Sequence, residues 1–234
     1  MAIAEVASQR VQTTGAMGAA CDFVDLAFPN NVTAGSLLVV AGNNYHSPLT
    51  SAITVTDTVL TNYTVILGPT PLNSYTLFLA YGFAPSSGAN TVRVDPDGTG
   101  NYINFAMDEF SGVDSGSPID VDGGESTGHD DAPADSLVTT TAGVLIVASA
   151  GSLNDAGTWT AGTGWTLFGS QGSSSISSFA AEFQIVGGAG TYTADFVTTN
   201  TPNWGVYTVG FKAAGGGGGL PIPVAMAHYR QRGN

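Results

Sequence analysis

Tyr75-Thr76-Leu77-Phe78-Leu79-Ala80-Tyr81-Gly82-Phe83 carries an apolar side chain at every odd position, with mostly small or polar residues between. A period of two belongs to an extended strand, whose successive side chains point to opposite faces; a helix would repeat every 3.6 residues. The stretch therefore predicts a strand with one face on a core. Phe179, Ala181, Phe183 and Ile185 repeat the pattern, as do Tyr192, Ala194 and Phe196. Leu37 to Ala41 and Val144 to Ala148 are instead continuous apolar runs, the signature of strands covered on both faces. Asp97-Gly98, Ser87-Gly88, Gly187-Gly188 and Asn154-Asp155 mark turns between such runs. The reading is about twelve strands and no helix.

Composition agrees. Hydrophobic residues make up 43% of the 234-residue chain, so a core is available despite 32 glycines. Charged residues are only 10%, against roughly 25% in an ordinary domain. The single lysine is Lys212. Helices cover their solvent faces with Lys, Glu and Arg, whereas this surface must be written in Ser, Thr, Asn and Gly. The net charge of −13 excludes a phosphate-binding surface, hence nucleic acid, and disfavours anionic membranes. Cys21 is alone and reads as a small hydrophobe. Met1 to Arg10 lacks the basic start and apolar stretch of a secretory signal, and no run reaches the length of a membrane span.

Comparison of the chain with itself is more informative. Thr33-Ala34-Gly35-Ser36-Leu37-Leu38-Val39-Val40 matches Thr141-Ala142-Gly143-Val144-Leu145-Ile146-Val147-Ala148. Asn62 to Leu67 matches Gly164 to Gly169, Tyr75 to Ala89 matches Ser178 to Gly190, and Ile103 to Gly112 matches Gly205 to Ala213. Four blocks in the same order predict an internal duplication. The expected fold is all-β: an antiparallel, jelly-roll-like β-sandwich with extended N- and C-terminal segments. Its parts are an N-terminal extension (1–20), a sandwich (21–214) of two pseudo-repeats (about 21–114 and 136–214), a glycine hinge (215–219) and a C-terminal arm (220–234). One merged sandwich is favoured, because the second half looks short of strands to close both of its sheets. The acidic stretch Asp114 to Asp135 reads as the crossover.

The arm is apolar, then basic: Leu220, Ile222, Val224, Met226, His228, Tyr229, Arg230 and Arg232 are its candidate docking residues. Beyond a flexible glycine hinge, such a segment suits an assembly arm that binds a neighbouring subunit; a frayed tail is the plainer reading.

Catalytic chemistry finds little to stand on. His46, His129 and His228 show no metal-ligand spacing, and no G-x-S-x-G elbow sits at a strand-to-helix turn. Asp108 and Glu109 are adjacent, so on a strand they point to opposite faces. No catalytic residue is assigned and no cofactor is expected. The one metal worth naming is calcium: Asp95, Asp97 and Asn101 in Asp95-Pro96-Asp97-Gly98-Thr99-Gly100-Asn101 resemble the start of an EF-hand loop. The position of the bidentate Glu is held by Ala106, and a polar turn accounts for the same residues. The group Asp120, Asp122, Glu125, His129, Asp130, Asp131 and Asp135 reads as a solvated loop. For glycan stacking the candidate is Trp159, with Tyr45 and Tyr63 behind it; Trp165 and Trp204 fall inside strand repeats and read as core.

The order Thr-Ala-Gly-x-Leu-Leu-Val-Val (33–40), Glu-Phe-Ser-Gly-Val-Asp (109–114), Ser-Pro-Ile-Asp-Val (117–121), Thr-Thr-Ala-Gly-x-Leu-Ile-Val (140–147), Gly-Thr-Tyr-Thr-Ala (190–194) and Val-Gly-Phe-Lys (209–212) resembles the jelly-roll-like sandwich domains of tailed-bacteriophage virion proteins and of some bacterial surface proteins. The resemblance covers roughly residues 20 to 214. It implies a display or attachment role in a virion assembled in the host cytoplasm, such as capsid decoration, with no catalytic residues to transfer. Expected partners are shell subunits or copies of the chain itself, reached through the arm. The other reading is a carbohydrate-binding or adhesive module of a bacterial surface protein, with a host-surface glycan as partner.

Overall fold

A computed structural model describes residues 1–13, 20–46, 52–67, 75–153, 157–172 and 177–215. Among them every element is a strand, and no helix is long and apolar enough to cross a membrane. The first half runs β1 (Ala4–Glu5), β2 (Val11–Gln12), β3 (Val24–Ala27), β4 (Leu37–Tyr45), β5 (Ile53–Asp57), β6 (Thr64–Leu67), β7 (Tyr75–Phe83), β8 (Thr91–Pro96) and β9 (Tyr102–Ser111). The second runs β10 (Ile119–His129), β11 (Ala134–Thr139), β12 (Val144–Leu153), β13 (Trp159–Thr160), β14 (Thr166–Gln171), β15 (Ser177–Val186), β16 (Gly190–Asp195), β17 (Val197–Thr198) and β18 (Asn203–Phe211).

Each half builds one large and one small antiparallel sheet. The large sheets have the orders β1-β9-β4-β7-β6, with β2 also on β9, and β10-β18-β12-β15-β14. The small ones are β3-β8-β5 in the first half, and β11-β16 with β13-β17 in the second. Only the buried Phe196 separates β16 from β17, so the two act as one broken strand. With β1 and β2 taken together, the first strand of each half pairs the last, the second pairs the penultimate and the third pairs the sixth. That nesting is an antiparallel ribbon wrapped into a jelly roll. The fifth strand departs from it, lying at the edge of the large sheet beside the sixth.

Three cores hold these layers together. Phe28, Leu38, Val40, Phe78, Val92, Phe105 and Met107 fill the first sandwich. Ile146, Ala148, Trp159, Trp165, Phe196, Trp204 and Val206 fill the second. The third core is a seam between the two large sheets, where Leu37, Val39, Ala41 and Phe110 meet Leu145, Val147, Phe179 and Phe211. Alternation explains it: the even residues of β4 point into their own sandwich and the odd ones into the seam. The run Leu37 to Ala41 is fully buried on both faces, as its sequence predicts. Each such aromatic or aliphatic side chain contributes about 1.5–3 kcal/mol by leaving water.

The single merged sandwich is corrected to two, packed back to back through their large sheets. The strands the second half seemed to lack are β10, β13 and β17. β10 occupies the acidic stretch read as a crossover, and its Asp- and Gly-rich sequence has no apolar face to betray a strand. It pairs β18 with register shifts between Ile119 and Val121 and between Asp122 and Glu125. Gly128 is required there, since a Cβ would stand 2.3 Å from the Trp204 ring. The stretch 1–20 is likewise more than an appendage, because β1 and β2 line β9 as β10 lines β18. The repeated Thr-Ala-Gly also finds its reason: Gly35 and Gly143 turn into β4 and β12 at φ 82° and 74°, in the left-handed region that favours glycine.

Candidate functional site: two poles and a seam

Strand register sorts the chain into two poles. At one, Leu37 opposes Phe83 and Phe110, and Leu145 opposes Ile185 and Phe211. The Met1 nitrogen donates to the Ala214 carbonyl at 3.0 Å, and Ala214 N donates to Gly112 O at 2.7 Å. Residues 1 and 214 therefore meet at this pole. At the other, Tyr45 opposes Tyr75 and Tyr102, and Leu153 opposes Ser177 and Asn203. The connections 46–52, 68–74, 97–101, 154–158 and 172–176 all join strands at that end. Asn43 Nδ2 donates to Ser178 O at 3.0 Å, and the Tyr75 hydroxyl donates to Gly151 O, so the two halves are tied together beneath these loops.

Trp159 is not available to a sugar. It is 4% exposed, its ring edge-on to Phe196 at 5.8 Å and its Nε1 donating to Ser178 Oγ at 3.2 Å. Trp165 and Trp204 are buried as well, donating to Thr193 O and Asp130 Oδ1. Tyr63 packs on the first core and donates to Asp57 Oδ2. Period-two reading could not place Trp159, because β13 is a two-residue strand. Trp159→Ala should cost about 3–5 kcal/mol of unfolding free energy, read by denaturant melts, and should leave the binding of any ligand by the folded protein unchanged. Of the candidate aromatics Tyr45 alone stays half-buried at the loop pole, edge-to-face with Tyr102 at 5.9 Å.

The calcium reading fares no better. Asn101 is buried; its Oδ1 accepts from Asn44 Nδ2 at 2.9 Å and its Nδ2 donates to Gly98 O at 3.2 Å. Asp97 Oδ1 accepts from Ala52 N at 3.2 Å, while Asp95 lies exposed on β8 near Arg93. The three candidate ligands are thus engaged by the protein or aimed apart. Among the described residues no three His, Cys, Asp or Glu side chains form a metal-holding group. The acidic stretch around β10 is likewise spoken for: Asp120 accepts from Thr140 and Thr141, Asp122 from Tyr207, and Asp135 from Ser126 and Thr208. Leu220, Ile222, Val224, Met226, His228, Tyr229, Arg230 and Arg232 lie outside the described residues. Cys21 is half-buried, its thiol against Asn101 O and raised by burial.

Three buried carboxyls escaped a functional reading of the sequence. Asp108 and Glu109 do point to opposite faces of β9. Glu109 accepts from Gln9 Nε2 and Thr33 N, both at 2.9 Å, and so pins the N-terminal segment to a turn. Asp108 faces the seam, where Oδ1 accepts from Glu109 N and Oδ2 lies 3.5 Å from Arg10 Nε. Arg10 holds Glu5 as well, donates to Leu167 O at 3.2 Å and stacks over Phe183, so it spans both halves. Burial pushes the Asp108 carboxyl up to about 8, with Glu109 N and Arg10 opposing and the Glu5 charge adding. Glu182 is buried in the second sandwich and also pushed up to about 8, by burial and the Asp195 charge against one hydrogen bond from Gly162 N. The two raised carboxyls lie in different cores, so they form no facing acid–base pair of the kind glycoside hydrolysis uses. Only the raised values would have marked them, and burial depth is not written in a sequence.

No protein-family model, no curated protein and no solved structure matches the chain.

Proposed function

We propose that this chain is a non-enzymatic structural protein of a virion, a capsid decoration or surface protein, with one pole turned to the shell and the other displayed. The observation that carries this reading is the segregation of the poles. Residues 1 and 214 share one end, so the segment after residue 214 departs from the pole where Met1 lies. The far end holds the opposite ends of the long strands and the connection 97–101, where a scaffold of packed sheets can present loops to partners. The packed strands and buried seam suit a rigid spacer, and the acidic, lysine-poor surface suits display at high density. The arm at 220–234 supplies the anchor, on shell subunits or on other copies of the chain.

The test is fractionation of the lysate of the virus or cell that carries this gene. The chain should co-sediment with particles of virion size, and its confinement to free, slowly sedimenting fractions would remove the reading. The second reading, a glycan-binding or adhesive module, has Tyr45 and Tyr102 in its favour. A glycan array with the full-length chain should be blank; specific binding abolished by Tyr102→Ala would transfer the assignment to that module.

A further inference from the structure

At the pole of residues 1 and 214 lies a groove of about 400 Å³, lined by Met1, the Thr33–Ser36 turn, Ser111 to Val113 and Ala214. No ionisable side chain lines it, although all 18 acidic residues of the chain precede residue 216. Ala214 is itself one wall. Gly215 to Gly219 follow, and then the uncharged, apolar Leu220-Pro221-Ile222-Pro223-Val224. Six extended steps from Ala214 span at most about 21 Å, so Leu220 stays within that distance of the groove. Pro221 and Pro223 have few backbone conformations to lose on docking. Arg230 and Arg232, two of the five cationic residues, follow the apolar run and are drawn to an acidic body over a Debye length.

We infer that this groove seats residues 220–224 of the same molecule. A short tether holds a segment at an effective concentration of order millimolar, so a neighbour's arm displaces it only when copies are crowded. What the seat is for rests on the display reading: the anchoring arm lies on its own pole until a shell or a neighbouring copy takes it.

The test is disulfide trapping in the full-length chain carrying Cys21→Ser, Ala34→Cys and Ile222→Cys, oxidised mildly at low micromolar protein. Ala34 is exposed, so the substitution leaves the cores intact. A second chain with Ala142→Cys in place of Ala34→Cys puts the cysteine at the same pole, on the matching turn of the second half and outside the groove, also at an exposed site. The Ala34 pair should close within one molecule about tenfold or more faster than the Ala142 pair, as a seated segment requires. Equal rates would overturn the seat, and cross-linked dimers as the main product would overturn its intramolecular form. Neither result alters whether the protein co-sediments with virions, so the two ideas fail separately.

Discussion

Gly151→Asn is expected to destabilise the protein by about 3 kcal/mol, near the upper end for overpacking a well-filled core. That corresponds to a melting temperature lower by roughly 6–12 °C in a chain of this size. A Cβ at 151 would stand 2.8 Å from Leu77 Cδ2 and 3.0 Å from the Tyr75 ring, and the Tyr75 hydroxyl donates to the Gly151 carbonyl. The reason lies in the duplication. Strand register makes Asn43 the counterpart of Gly151 and Tyr75 the counterpart of Ser177. On one side of the seam a large Tyr75 covers Gly151; on the other, a small Ser177 faces Asn43, which donates to it at 3.2 Å. Large meets small twice, with the roles exchanged. Tyr75→Ser alone should cost about 3–5 kcal/mol through the cavity it leaves. The double variant Tyr75→Ser, Gly151→Asn copies the opposite side and should be less destabilised than the sum by about 0.5–3 kcal/mol. Strict additivity in denaturant melts would mean that the two residues are not coupled across the seam.

Wild-type protein should melt higher at pH 5.5 than at pH 8.5, the reverse of ordinary acid denaturation. Asp108 and Glu182 both titrate at about 8 when folded and at about 4 when unfolded. A carboxyl with a raised folded value contributes stability that is fully present below the unfolded value and is lost as the pH rises through the folded one. Across that window each group costs roughly 1.4 kcal/mol per pH unit. Asp25 and Asp120, held low by Arg93 and by the Thr140 and Thr141 donors, act in the opposite sense, but only below about pH 4. Asp108→Asn and Glu182→Gln remove the charge at nearly constant shape. The double variant should match the wild type only near about pH 4, exceed it by a margin that grows up to pH 8.5 and show a flat profile between pH 5.5 and 8.5. A wild-type melting temperature that is constant or rising up to pH 8.5 would show that the two carboxyls are ionised and accommodated.

The long strands were legible because burial writes itself as periodicity: β7 by its odd apolar residues, β4 and β12 by their unbroken runs. The duplication was legible through the Thr-Ala-Gly turns, since a left-handed residue forces the same glycine twice. β10 was hidden, because an edge strand rich in Asp and Gly alternates nothing. β13 and β17 are too short to show a period. The seam showed only as the double burial of β4 and β12, since a face buried against a second sandwich reads like a face buried in one. Trp159 misled for the related reason that an aromatic after a glycine-rich loop looks exposed until the strand it caps is known. The poles emerged only from register and the Met1–Ala214 hydrogen bond, which place residues 1 and 214 together at the end where β4 and β12 begin.

The most direct measurement compares the full-length chain with one ending after Ala214, by sedimentation and thermal melting over rising concentration. Both chains should melt within a few degrees of each other, because the three cores lie entirely before residue 215. Only the full-length chain should associate as copies begin to exchange arms. Two equally stable monomers at every concentration would contradict an anchoring role for residues 220–234, and the displayed, shell-bound protein argued from the poles would lose its means of attachment.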